Sequence, residues 1–456
     1  MNGSVHHHSG AARLRDVWLW IGVSLYAALF FSLGALRYAA HANFVDLGIF
    51  AQTASSAFGC FCNAVEGSHW SYHFSPILFL AGALMRVWPS ALALIALQAV
   101  AGALVAPPIY AIVAVRAGRP YARLAAGVVL LYPPLAGIVF NDFHENGLAP
   151  AAIAWLLWAF DAGYGLATVL FALLALSIKE DQAIFLTIAG IGGAIALRSD
   201  RKRAALSLAV AMLAAGTLAA YLIAFHPRSA QRFYAWSPHD WALLFPGGVL
   251  ERIGFLLLAF LPLLFLPFRV WAGALLATPL AEVLFSRMST TYTLGSHYAG
   301  VWAGYALFAF GLAVAAVASQ RPNASRVLYA CLALCIVEFA VADPLHPRAF
   351  LHWPAARDSA LDRFLDALPA RIDVATQEEA YTHLAARDPS ASLLPERPQP
   401  LHACFILIDR DFPASVRLLE AGPAVKRAAA AGAYAIASHQ GAIILYKARS
   451  CAPAPR

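Results

Sequence analysis

Asn141-Asp142-Phe143-His144-Glu145-Asn146-Gly147-Leu148-Ala149-Pro150 sets three ionisable side chains between two long apolar runs, residues 124–140 and 148–160. Sequence that only fills a bilayer has no use for them. An ionisable group at membrane depth is costly and as a rule faces a wet cavity, so such a group marks a functional site by default. The stretch therefore decides two things together: the flanking runs read as transmembrane helices, and their connection reads as a candidate site. Polar islands interrupt apolar sequence in the same way at Asp46, at His73, at Lys179-Glu180-Asp181 and at His297-Tyr298.

Composition agrees. The 456 residues are 61% hydrophobic and 12% charged, where a soluble chain carries about 25% charged residues, and the mean hydropathy is +0.66. These values exclude an ordinary soluble domain and predict a polytopic membrane protein. The net charge of +7 resides mainly in Arg and Lys of short connections. That is a topology signal, with no nucleic-acid partner implied. Residues 17–36 suffice to span a bilayer at roughly 20 residues and lack a small-residue cleavage site, so they read as a signal anchor. The His6-His7-His8 run sits in a polar leader, residues 1–16, and is set aside as a metal site. Six Cys show no paired metal-ligand spacing.

Arg13 and Arg15 precede the first span and place the N-terminus in the cytoplasm. A large first outer loop follows, residues 37–90. Within it, 74–88 is apolar but only about 15 residues long where a span wants about 20, and it contains Pro76 and Arg86. It reads as a half-buried or interfacial helix, and that choice sets the register of everything after it. Arg116, Arg119 and Arg123, then Arg198, Arg201, Lys202 and Arg203, then Arg269, then Arg321 and Arg326, fall inside. Outer loops follow at 226–248 and 287–297. About eleven spans result, at a span of about 20 residues or somewhat less, making 17–342 a polytopic membrane domain.

From residue 343 the composition turns polar, and 343–456 reads as a small extracytoplasmic α/β domain. An amphipathic helix is expected at 361–368 and strands at 372–375, 404–409, 434–438 and 442–447. His439-Gln440-Gly441 would turn the last two into a hairpin. Whether Cys60 with Cys62, or Cys404 with Cys451, are oxidised stays open; Cys331 and Cys335 lie one helical turn apart and suit apolar packing.

In this orientation all the polar islands emerge on the extracytoplasmic side, as one shared cavity requires. Each also has a plainer reading. Asp142, His144 and Glu145 would include a helix cap, although a cap needs one such residue and not three. Asp46 would be the N-cap of a helix starting at Leu47. His73 and the His297-Tyr298 pair would be interfacial belt residues, and Lys179-Glu180-Asp181 a solvated turn. The stretch from His144 is not a zinc-protease motif, because Leu148 stands where a second His is required. Gly190, Gly192 and Gly193 form no phosphate loop and instead permit close helix packing.

Taken in order, Asn43-Phe44-Val45-Asp46-Leu47-Gly48-Ile49-Phe50, His73-Phe74-Ser75-Pro76, Asp142-Phe143-His144-Glu145, Lys179-Glu180-Asp181 and His297-Tyr298 resemble bacterial membrane proteins grouped as domain of unknown function 2079. Ile372-Asp373-Val374-Ala375-Thr376 and Tyr381-Thr382-His383-Leu384-Ala385-Ala386-Arg387 resemble the soluble end of that family. The family is in turn distantly similar to GT-C glycosyltransferases, polytopic enzymes that take sugar from a polyprenyl-phosphate carrier. The resemblance implies an acidic residue in the first outer loop, matched by Asp46, and another in the second, matched by Asp142 or Glu145. The density of His departs from that pattern and leaves the chemistry open.

The expected fold is therefore an α-helical polytopic, GT-C-like membrane protein with a C-terminal α/β domain. The expected function is sugar transfer from a polyprenyl-phosphate carrier to an envelope acceptor at the periplasmic face of the bacterial inner membrane. Asp46, Asp142, His144 and Glu145 are the candidate catalytic residues. His73, Lys179, Glu180, Asp181, His297 and Tyr298 are the candidate substrate contacts, Lys179 for the carrier phosphate. A divalent cation on Asp46, His144 and Glu145 is one option for a cofactor. The alternatives are a transporter or channel with a polar intramembrane site, and a non-catalytic envelope scaffold.

Overall fold

The computed structural model describes residues 14–225, 248–286, 288–320, 324–369, 371–395, 401–412 and 415–451. The His6-His7-His8 run, Arg13, Arg287, Arg321 and nearly all of the expected 226–248 loop lie outside the described residues. The chain divides into two compact units. The first holds the chain up to Phe31, His73–Ile77 and Gln98–Leu345; the second holds Ser32–Tyr72, Leu78–Leu97 and His346–Arg456.

Among the described residues, five helices are long and apolar enough to cross a membrane: Val17–Ala39, Leu92–Arg116, Arg201–Phe225, Ala303–Gln320 and Ala324–Val341. A sixth results if Arg119–Leu130 and Pro133–Phe140, bent by 47°, count as one. The bend falls where Pro133 and Pro134 open the second helix and Tyr132 before them is extended. A proline ring clashes with a helical predecessor and has no N–H to give, so a helix stops just before it.

Other apolar runs form shorter helices, Ala149–Asp161, Gly165–Leu176 and Glu180–Ala196. The run at 253–266 stops early, because Val249–Phe260 meets Pro262 and Pro267 while Leu264 and Phe265 take left-handed backbone conformations. The helices Glu180–Ala196 and Arg201–Phe225 pack so closely that a Cβ on Gly190 would collide with Ser207 and Ala211. Small residues do serve packing there.

In the second unit the polar C-terminal sequence forms a five-stranded mixed sheet. Its order is Ser392–Leu393, Val374–Thr376, Phe405–Asp409, Ile443–Ala448, Tyr434–Gln440, parallel among the first three and antiparallel thereafter. Side chains alternate along each strand, so the sheet buries both faces. Val374, Leu407, Ile443 and Leu445 pack with Leu361, Leu365, Tyr381 and Leu384 on one side. On the other, Ala375, Ile406, Ile408 and Ile444 pack with Ala421 and Val425 of the helix Val416–Ala430.

The first loop joins this body. Tyr381 donates its hydroxyl to Gln52 Oε1 at 2.7 Å, and Gln52 Nε2 donates to the Ala391 carbonyl at 2.9 Å. Residues 74–88 contain the ten-residue helix Leu78–Val87. Disulfides join Cys60 to Cys62 and Cys404 to Cys451, while Cys331 and Cys335 are free and buried.

Candidate functional site

The loop that follows the helix Pro133–Phe140 is held by one side chain of a neighbouring span. Gln98 Nε2 donates to the carbonyls of Ile138 and Asn141, each at 3.0 Å, and its Oε1 accepts the His144 N–H at 3.1 Å. Asn141 Nδ2 donates to the Gly295 carbonyl at 2.7 Å, tying this loop to the segment before His297. These bonds leave His144 extended just ahead of the 3-10 helix Glu145–Leu148 and carry Glu145 fully into the interior.

Lys179 is extended as well, and the helix Glu180–Ala196 begins at the next residue, so consecutive side chains leave in different directions. Lys179 Nζ lies 3.3 Å from Glu145 Oε1, and His144 Nδ1 lies 3.5 Å from the other Glu145 oxygen. Glu180 turns the other way. It sits 2.9 Å from His73 Nδ1 and accepts the Phe74 N–H at 2.9 Å. The His144 ring stacks on His297 with centroids 3.5 Å apart, and Tyr298 packs beside His297 at 4.2 Å. Gln182 accepts the Tyr305 hydroxyl at 3.2 Å.

These charges are out of water and stand as pairs, as burial demands. Burial alone would raise the Glu145 carboxyl, but Lys179 and His144 hold it well below the usual carboxylate range. Burial would likewise lower Lys179, and Glu145, Asp181 and Glu180 together raise it instead. His73 is raised and Glu180 lowered by each other against the same desolvation. Asp181 behaves differently: burial pushes it up to about 7, with Lys179 opposing and Glu180 and Glu145 adding to the rise. Its Oδ2 and the Asn146 amide are buried with no hydrogen-bond partner among the described residues.

Of the residues singled out from sequence, His73, His144, Glu145, Lys179, Glu180, Asp181, His297 and Tyr298 thus form one connected group in the first unit. Asp142 is buried in the same loop. Asp46 belongs to the second unit, where the plain capping reading needs correction. The helix there is Val45–Ser55 with Phe44 at the N-cap position, so Asp46 lies inside the first turn. The sequence reading missed Gln98, Gln182, Tyr305 and Glu282, which feels the charge of Asp181. Gln98 and Glu282 carried a signal, each being the one polar or charged side chain in the middle of an apolar helix.

Farther along the helix Glu180–Ala196 the character changes to hydrocarbon. A cavity of about 660 Å³ is lined by Leu186, Ala189, Gly193, Val210, Trp271 and Thr278, among others.

Residues 38–231 match the family model described as Predicted membrane protein (DUF2079). The resemblance drawn from the motifs holds. ArnT from Cupriavidus metallidurans bound to undecaprenyl phosphate superimposes with a TM-score of 0.58 at 12% identity, over 96% of this chain and 100% of that one. The apo form of the same protein gives 0.50 at 12% identity, over 93% and 98%. The oligosaccharyltransferase AglB from Archaeoglobus fulgidus, in complex with an inhibitory peptide and a dolichol-phosphate, reaches 0.43 at 11% identity, over 87% and 70%, too loose to argue from. No curated protein sequence matches significantly. The chain therefore has a mostly helical, multi-span membrane fold like that of ArnT, ending in a mixed-sheet domain.

Proposed function

We propose that this protein is a glycosyltransferase of the GT-C kind that takes sugar from a polyprenyl-phosphate carrier. The observation that carries the reading is the division of one helix, Glu180–Ala196, into a buried charged start and an apolar cavity wall. A phosphate on an isoprenoid chain needs both. Leu186 is five residues beyond Asp181, about 7.5 Å along the axis at ~1.5 Å per residue, so headgroup and chain fit on one element. The fold it shares with ArnT, whose structure holds undecaprenyl phosphate, supports the same ligand class.

Lys179 meets the carrier phosphate by exchanging part of its contact with Glu145. Asp181, raised to about 7 and so protonated below that pH, keeps an added anion from being repelled. Glu145, with His144 beside it, acts on the acceptor as a base or as the anchor of a cation, and Asp142 is a further acid of the reaction. The about eleven spans and the cytoplasmic N-terminus expected from loop charge put the site at the periplasmic face of the inner membrane. The acceptor is then an envelope component.

Native mass spectrometry of detergent-purified protein with undecaprenyl phosphate tests the ligand class. About one molecule should remain bound, and Lys179→Met should weaken retention by at least ~10-fold, the loss of ~1.4 kcal/mol. Lys179→Met with Glu145→Gln removes the pair together and controls for a buried unpaired carboxylate. No retention by the wild type, or retention by both variants equal to that of the wild type, would sink the reading.

A further inference from the structure

We propose that His41, Asp362 and His383 form a binding site for a divalent transition ion of the zinc class, clasping the start of the first loop to two helices of the α/β domain. All three belong to the second unit. His41 follows the helix Val17–Ala39, Asp362 lies on Ala356–Asp366 and His383 on Glu378–Leu384.

The hydrogen bonds of the two rings carry the argument. His41 Nδ1 is 3.2 Å from the Glu379 carbonyl and His383 Nε2 is 3.1 Å from the Tyr38 carbonyl. A carbonyl only accepts, so each ring places its N–H there. In neutral rings His41 Nε2 and His383 Nδ1 are then lone-pair nitrogens. Both face Asp362 Oδ1, at 3.1 and 3.6 Å. Three acceptors converging without a proton between them repel one another, and a shared cation converts that repulsion into binding. Two imidazolium rings are a poor substitute, because the rings stack with centroids 3.9 Å apart and would set like charges face to face.

The donor atoms all lie within 4.8 Å of one another, and bonds of ~2.0–2.2 Å to a central zinc span such a set. Backbone carbonyls on the outer ring nitrogens are the partners that orient metal-bound imidazoles. Two imidazoles and a carboxylate suit zinc and its neighbours over magnesium or calcium. His41 also holds a left-handed backbone, φ 51°, which a non-glycine residue adopts at a cost. The His41 side chain is fully buried, while that of Asp362 is 44% exposed. Asp362 borders a polar cavity of about 170 Å³ lined also by Tyr38, Ser90, Asp366 and Arg387. That cavity gives the ion an entry path and leaves room for a water as fourth ligand.

Elemental analysis tests this on the full chain in detergent, stripped with EDTA and dialysed against Zn²⁺, in a His144→Gln background so that metal held elsewhere does not count. About one equivalent should be retained, as one three-residue site implies. His41→Gln, His383→Gln and Asp362→Asn should each weaken uptake by at least ~10-fold, and Asp362→His, which keeps a donor, should restore it. If the substituted chains do not fold, X-ray absorption on the zinc-loaded parent decides, with two imidazole ligands expected. No zinc uptake, uptake unchanged in all three variants, or a coordination shell without imidazole would overturn the proposal.

Discussion

Lys179 and Glu145 are both buried, and removing one leaves the other charged in a poor dielectric. Lys179→Met should therefore cost about 3–5 kcal/mol, most of it recovered by adding Glu145→Gln; thermal melting in detergent at fixed protein concentration reads both. The His73–Glu180 pair has a pH signature. His73 is raised, so its contribution is full below the ordinary histidine value of 6.5 and is lost as pH rises through its higher folded value. Glu180 is lowered, so its contribution is full above the ordinary 4.5 and is lost only as pH falls through its depressed folded value. The stability difference between wild type and His73→Gln should be largest between those two ordinary values and should shrink in alkali. Asp181 gives a third outcome. As pH rises through about 7 it ionises, and undecaprenyl phosphate affinity should fall by about tenfold, worth ~1.4 kcal/mol. Asp181→Asn should flatten that profile; an unchanged slope would remove Asp181 from the site. These groups were legible in the sequence because a charge in apolar surroundings needs a reason. Gln98 and Tyr305 were harder to see, since a neutral polar side chain inside a span costs less and marks itself less.

At the scale of elements, Gly48 in the helix Val45–Ser55 shows what a motif can hide. A Cβ there would stand 2.5 Å from the Tyr381 ring, so the glycine permits the approach of two helices more than three hundred residues apart in sequence. Gly48→Ala should destabilise the second unit by about 1–3 kcal/mol, the usual cost of overpacking, and proteolysis of residues 346–451 should quicken. Wild-type resistance in the variant would mean that the helices part without cost. The longer strands at 405–409, 434–440 and 443–448 were readable to within a residue or two from alternating β-branched and aromatic side chains. The edge strand Ser392–Leu393 has too few residues to alternate, and the helix Val416–Ala430, with Pro423 inside it, was not among the expected elements. The hairpin turn also moved, because Gln440 pairs with Ile443 and leaves Gly441 and Ala442 as the connection.

For the whole molecule, composition declared a membrane protein at once, and the motifs pointed to the GT-C-like fold. The union of the first loop with the C-terminal domain was not legible, because it rests on Gln52, Tyr381 and Gly48 meeting in space. Reporter fusions after Arg119 and Arg201 should read cytoplasmic, and one after Asn146 periplasmic. A periplasmic signal at Arg119 would reverse the orientation on which the proposed acceptor depends. The most direct measurement is sugar transfer itself. Purified protein in liposomes, supplied with polyprenyl-phosphate carrying a labelled sugar and an envelope extract as acceptor, should move label out of the lipid fraction. Glu145→Gln, at equal protein level, should cut that transfer by at least ~100-fold, the scale of a lost general base. Wild-type protein that leaves every such carrier untouched while dissipating a solute gradient across the same liposomes would contradict the account and make the protein a transporter.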